Sequence, residues 1–302
     1  MSTLLLVNPA AGHGRAARLA AEAEAACGRH WREVRVAVTR APGDGVTLVR
    51  DAVAAGCARV LALGGDGTVH EAANGILSAP ADQRPPLGVI PVGTGNDYAK
   101  LSGTHRQSVA HAVRTLSRAR TMRLDVGHAW GEYFINSIGI GFDAEVARRV
   151  AGFKRLRGMP AYLSAALSTY RAFQPPLLAV ESGMDSFEDE TLLLEIGIGA
   201  IVGGGFRLTP DARPDDGLFD ICAIRCRNFL EFMIKLPMAM LGRHGGLHGV
   251  RMFRTERLVV RRPDGAPIVA QLDGEVRTGQ GPLEITQHSA ALPVLMAEAR
   301  PR

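Results

Sequence analysis

Lysine is nearly missing from this chain: of 35 basic residues only Lys100, Lys154 and Lys235 are lysine, and none follows the glycine cluster at 64–67. That excludes the G-x-x-x-x-G-K-[ST] phosphate loop, and the glycine spacing is not the G-x-G-x-x-G of a dinucleotide fold either. Cysteine is scarce as well. Cys27, Cys57, Cys222 and Cys226 have no C-x-x-C spacing, which reads as reduced structural thiols rather than zinc ligands or disulfides. Aromatic residues make up 5% of the chain and do not interleave with its basic clusters, so nucleic acid is not an expected partner. No apolar run approaches the roughly 18 residues that span a bilayer. The greasiest stretch, LLLEIGIGAIVGGGF, is broken by Glu195 and glycines, and the chain enters TLLLVNP with no leader pattern. From these absences we expect a cytoplasmic protein without a transmembrane segment, associating with membranes only transiently and peripherally.

What is present is ordinary globular material. Over 302 residues, 46% are hydrophobic and 22% charged, enough for two domains with buried cores. The net charge of +5 suggests an acidic partner and by itself does not choose among nucleic acid, nucleotide and anionic lipid. Basic residues gather at 148–158 and 250–262, where solvated faces are the alternative reading.

Residues 1–122 alternate strand and helix patterns: TLLLVN, an Ala-rich helix from Arg15, REVRVAV, a helix after Asp44, RVLAL, a helix from Thr68, and LGVIPV. This is the pattern of a parallel, doubly wound α/β sheet, which binds ligands at the carboxyl ends of its strands. Three of those ends carry glycine-rich polar loops: NPAAGHG, GGDGT and PVGTGND. From 123 to 302 the pattern changes to short strands separated by turns, with helices at MPAYLSAALSTYRAF and NFLEFMIKLPMAML. It predicts a β-rich antiparallel sandwich.

The loop in LALGGDGTVHEAANGIL follows a buried strand and opens a helix, whose free N–H groups and dipole suit an anion. Thr68 and Glu71 fit a capping box that starts this helix at Thr68. With no lysine present, backbone amides and a metal must neutralise phosphate, and Asp66 is the carboxylate placed to orient that metal. In LDGEV, Asp273 and Glu275 share a face if the segment is a strand, whereas Asp-Gly is also a favoured hairpin turn. ARPDDGLFD offers Asp215, Asp216 and Asp220 around a glycine. The stretch 228–246 supplies Phe229, Phe232, Met233, Leu236, Met238 and Met240, either a lipid groove or an amphipathic core helix broken at Pro237.

GGDGT together with PVGTGNDYA, followed by GGGFRLTPDARPDDGLFDI and LDGE, resembles the diacylglycerol kinase catalytic-domain family in its soluble bacterial lipid kinase branch. The resemblance runs over nearly the whole chain. It implies an ATP-binding domain related to phosphofructokinase and NAD kinase, then a β-rich domain, with the active site in the cleft between them. The last dozen or so residues would pack back on the first domain. It places adenine nucleotide contacts at Asn8, Pro9, Ala10, Ala11 and Gly12, at Thr39, at Gly65, Asp66, Gly67, Thr68, Val69, His70 and Glu71, and at Thr94. It makes Glu275 the proton acceptor for a lipid hydroxyl, with Asp273 and then Asp66 as rivals. Asp216 with the carbonyls of Arg213 and Leu218 would form a Mg2+ site, and Asp125 and Lys154 would extend a charged network. One departure is His13, where relatives carry lysine; Arg15 is the substitute cation. The function so implied is transfer of the γ-phosphoryl group of ATP, with Mg2+, to a diacylglycerol-like or sphingoid-like lipid at a membrane surface, by a protein that a homodimer would also suit. The alternatives are a kinase of a soluble substrate such as NAD, and a non-catalytic nucleotide or lipid sensor.

Overall fold

The computed structural model describes residues 2–151, 158–183 and 185–297. The chain divides into two compact units, one of Met1–Leu124 with Ala290–Arg302 and one of Asp125–Ser289.

In the first unit, β1 (Ser2–Val7), β2 (Glu33–Val38), β3 (Arg59–Gly64) and β4 (Leu87–Pro91) pair in parallel in the order β2-β1-β3-β4, and Val294 adds a pair to Leu87. Strands β1, β3 and β4 are apolar at nearly every position because both of their faces are covered. Helices α1 (Ala11–Gly28) and α5 (Val109–Leu116) pack on one face through Ala16, Ala23, Ala26, Val109, Ala112, Val113 and Leu116. α2 (Asp44–Ala54) and α3 (Asp66–Leu77) contact each other, and α4 (Asp97–Ser102) follows β4. Strand order reverses between β1 and β3, so the loops after these two strands flank the switch point where such sheets bind ligands.

The expected capping box is corrected. α3 starts at Asp66, two residues before Thr68, and Gly65 at its N-cap makes no side-chain cap bond. Thr68 Oγ1 is buried without a hydrogen-bond partner. Glu71 accepts instead from the backbone N–H groups of Gly43 and Gly45, both at 2.8 Å, and so caps α2 rather than its own helix.

The second unit is all antiparallel in its sheets. β5 (Arg120–Ala129) pairs with β6 (Glu132–Phe134), and after Ile135 and Asn136 the chain continues as β7 (Ser137–Gly141). Helices α6 (Phe142–Ala151) and α7 (Gly158–Tyr170) come next, followed by β8 (Leu177–Ser182), β9 (Ser186–Glu190), β10 (Leu193–Gly197), β11 (Phe219–Ile224) and α8 (Phe229–Met240). The chain closes with β12 (Val250–Thr255), β13 (Arg257–Arg261), β14 (Ile268–Leu272), β15 (Glu275–Gly279) and β16 (Leu283–Met296). One sheet has the order β12-β11-β10-β7-β14-β15; the first residues of β16 pair with β13, which continues to β8 and β9. The two sheets share a core of Ile138, Ile140, Leu194, Ile196, Phe219 and Ile221 against Leu178, Val180, Leu258, Val260, Leu283 and Ile285. On its other side the first sheet meets α6, α7 and α8 through Phe142, Val146, Ala165, Leu193, Cys222 and Phe232. This double cover explains why β10 and β11 are buried along their whole length.

Candidate active site

In the first unit the loop after β1 turns by three successive left-handed residues, Gly12, His13 and Gly14, with φ of 59°, 59° and 80°. A Cβ on Gly12 would stand 2.4 Å from the carbonyl oxygen of Val92, so this loop must be bare to pass the one after β4. Asn8 Oδ1 accepts from the N–H of Ala10 and holds Pro9–Ala11 in place. Thr39, buried, follows β2 and donates its N–H to Val7. The loops after β3 and β4 touch backbone to backbone: a Cβ on Gly93 would lie 2.4 Å from Gly65 Cα. Thr94 is exposed above them, and His13 and Arg15 are exposed as well.

Asp66 sits where these loops meet. Its carboxylate accepts from the backbone N–H groups of Asn96, Asp97 and Tyr98, the last at 3.2 Å. Burial, and then the like charge of Asp97, push its carboxyl from an ordinary 3.8 up to about 6, against the pull of those three donors. Asp97 itself is paired with Lys100. The N–H groups of Asp66 and Gly67 open α3, at positions that have no intrahelical partner. Asn8, Gly12, Gly65 and Thr94, with Asp66 and Gly67 at the start of α3, thus lie at one end of one sheet. Val69 and His70 do not join them. Both side chains are buried in the unit's interior, and the carboxylate of Glu71 is occupied by α2.

In the second unit LDGE is a hairpin turn. Leu272 pairs with Glu275, and Asp273 and Gly274 have φ of 50° and 96°, as a type I′ turn requires. Of the two readings the sequence left open, strand face or hairpin turn, the structure has the turn, so Asp273 and Glu275 do not share a strand face. Asp273 folds back and accepts from the N–H groups of Ile135, Asn136 and Ser137 at 2.9, 2.8 and 3.1 Å. Glu275 stands 51% exposed, with Arg277 Nη1 3.9 Å away. Gln271 ties the turn inward: its Oε1 accepts from Gly274 N–H, and its amide also bonds the Asp143 carboxyl.

Around Gly139 that contact becomes a cluster the sequence reading missed. Asp143 Oδ2, Glu195 Oε2 and Gln271 Nε2 all lie within 2.9 Å of the point where a Cβ would sit on Gly139. Glu195 is fully buried, and among the described residues Ser137 is the one side chain that draws its carboxyl toward the charged form. Burial, then Asp143, raises the Glu195 carboxyl well above its ordinary range, and burial raises Asp143 to about 6. An acid inside the apolar run LLLEIGIG was the available signal for Glu195; nothing local marks Asp143.

Asp216 accepts from Leu218 N–H at 3.2 Å, and its other oxygen lies 4.0 Å from Arg254 Nη1. Asp125 braces the same loop, accepting from Gly217 N–H at 2.8 Å and donating its own N–H to Pro214. Lys154 lies outside the described residues. Among the described residues no group of three His, Cys, Asp or Glu side chains is arranged to hold a metal.

The apolar residues predicted at 228–246 divide between two faces of α8. Phe232 and Leu236 line an apolar pocket with Phe142, Val146, Leu193, Val202 and Phe206, with Asp143 among its walls. Phe229 and Met233 face outward and are exposed. The arginines of 250–262 do not form an open basic patch. Arg251, Arg254, Arg257, Arg261 and Arg262 pair with Asp185, Asp220, Glu284, Glu181 and Asp264.

Comparison with known proteins is consistent along the chain. The family model for the diacylglycerol kinase catalytic domain matches residues 2–129, and that for the YegS C-terminal NAD kinase beta sandwich-like domain matches 136–296. A Diacylglycerol kinase of Bacillus subtilis (strain 168) is 32% identical over 244 residues, covering 80% of this chain and 79% of that one. A Pseudomonas fluorescens protein named "Probable lipid kinase YegS-like" is 32% identical over 298 residues, covering 96% and 95%. The crystal structure of a diacylglycerol kinase from Bacillus anthracis str. Sterne superposes with a TM-score of 0.75 over 98% of this chain and 97% of that one; at 20% identity it speaks for the fold alone.

Proposed function

Because the chain belongs to the diacylglycerol kinase catalytic-domain family, a family of lipid kinases that use ATP, we propose that it transfers the γ-phosphoryl group of ATP to a hydroxyl of a diacylglycerol-like or sphingoid-like lipid. The observation that carries this reading is the contrast within LDGE. Asp273 is spent on three backbone donors, whereas Glu275 is exposed and holds only a long contact to Arg277. Glu275 is therefore the base and Asp273 the residue that holds the turn.

We assign the residues these roles. The loops around Asn8, Gly12, Gly65, Gly67 and Thr94 receive the nucleotide, with backbone N–H groups at the start of α3 turned to its phosphates. The Glu275 carboxylate takes the proton of the lipid hydroxyl as that oxygen attacks the γ-phosphorus in line. The bond from the γ-phosphorus to its bridging oxygen breaks, and ADP leaves. The crowded Asp66 and Asp97 carboxylates fit a divalent cation, which would relieve the repulsion between them. Mg2+ bound with the nucleotide would supply neutralisation of phosphate charge. Asp216 with the Arg213 and Leu218 carbonyls is an oxygen-only set suited to a second, structural Mg2+. The apolar pocket beneath α8 is suited to an acyl chain, with Asp143 at its polar wall. The protein works as a peripheral partner of a lipid surface; no described helix is long and apolar enough to cross a membrane.

The test is a pair of variants. Glu275→Gln should lower kcat by about 10²- to 10⁴-fold with little change in KM for ATP. Asp273→Asn should lower Tm as well as rate, because it unties the amides at 135–137. If Asp273→Asn alone removes the acidic limb of the kcat/KM profile, the two roles are reversed.

A further inference from the structure

Five of the nine large apolar side chains that are exposed among the described residues fall between 229 and 241. On α8 and its C-cap, Phe229, Leu230, Met233, Ile234 and Leu241 lie on one stripe at helical spacing, with the exposed Pro237 between them. A surface helix ordinarily presents polar residues on that side. Here the outer stripe holds no polar side chain, while the opposite face of the same helix, with Phe232, Lys235, Leu236 and Ala239, lines the apolar pocket. Charge at the edges of the stripe has one sign. Between 226 and 249 the only acid is Glu231, which is paired with the buried Lys235 at 2.9 Å. Exposed Arg227 precedes the helix, exposed Arg243 follows it, and exposed Arg207 stands beside Gly242.

We infer that the outer face of α8 is the surface by which the protein docks on an anionic bilayer. Apolar side chains enter the headgroup boundary and the flanking arginines meet lipid phosphates, the arrangement of an interfacial amphipathic helix. A bilayer fits better than a second copy of the chain because the rim is basic: two such rims brought together would repel. The inference rests on the lipid kinase reading, and it gives that reading a route, since the helix that meets the lipid also walls the pocket.

The experiment uses the full chain and a Leu230→Gln/Ile234→Gln variant, altering two outward residues that do not line the pocket. Both are sedimented with vesicles of phosphatidylglycerol and phosphatidylcholine and with vesicles of phosphatidylcholine alone. The parent should bind the mixed vesicles more tightly than the neutral ones, and the variant should lose at least about tenfold of that binding. The variant's Tm and its rate on a water-soluble short-chain diacylglycerol should stay at parental values. Unchanged vesicle binding by the variant, or none by the parent, overturns the surface. Conversion from dimer to monomer with vesicle binding intact would overturn it in favour of a second copy. If the parent phosphorylates no lipid while the variant still loses vesicle binding, the docking surface stands and the kinase reading falls.

Discussion

Replacing Asp66 by asparagine should make the protein more stable and nearly inactive at once. The Asp66 carboxyl is pushed from 3.8 to about 6, so above pH 7 its charge costs about 3 kcal/mol relative to the unfolded chain. Asparagine removes that charge and keeps the shape. Its oxygen can still accept from Tyr98 N–H, but its NH2 group faces donors at Asn96 and Asp97 and forfeits about 1 kcal/mol for each. The net gain is about 1 kcal/mol, a rise in Tm of about 1–2 °C at pH 8 for a chain of 302 residues. The sign with pH follows from linkage. A carboxyl whose folded pKa is raised binds protons on folding, so its contribution to stability falls as pH climbs from about 4 to about 6. The asparagine variant lacks that loss, so its advantage is absent near pH 4 and full above pH 7. Calorimetry across pH reads the stability, and ADP release, expected to fall at least about a hundredfold, reads the chemistry. A variant that is less stable than the parent at pH 8, or that keeps its turnover, refutes the role given to Asp66.

Three further outcomes are expected. Glu195→Gln should stabilise the protein at pH 8, with the gain shrinking as pH falls, because the raised carboxyl then protonates in the parent too; denaturant titrations at two pH values measure it. Gly12→Ala places a Cβ 2.4 Å from Val92 O at a φ of 59°, so it should lower stability by about 1–2 kcal/mol and weaken ATP binding in calorimetric titrations more than tenfold. Arg257→Gln should leave the salt dependence of activity on anionic micelles unchanged, since that arginine is already paired with Glu284, whereas Arg243→Gln should flatten it.

The parts of the fold legible in sequence were those whose burial leaves a local pattern. β1, β3 and β4 are covered on both faces and read as apolar runs, and glycine-rich loops mark their ends. β9, with sequence SFEDE, carries acids on its outer face and went unread, as did β12 inside a basic cluster and β16 with Pro293 in it. Helices α5 and α6 were also missed. The capping box failed for a long-range reason: Glu71 serves the amides of Gly43 and Gly45, a contact that exists only once α2 and α3 are side by side. Sequence spacing left strand and turn open for LDGE; two positive φ angles decide for the turn and separate the two carboxylates. The Asp143–Glu195 cluster arises from strand pairing that sets Glu195 opposite Gly139, which no window of the sequence contains.

The most direct measurement of the central claim is phosphoryl transfer itself. The full chain is incubated with γ-labelled ATP, Mg2+ and mixed micelles carrying diacylglycerol, sphingoid base, ceramide or glycerophospholipid, with NAD as the soluble competitor. The account predicts label in a lipid phosphate, none in NAD, and loss of the lipid product in Glu275→Gln. Label in NAD, or no labelled lipid from a protein that binds ATP, would contradict it.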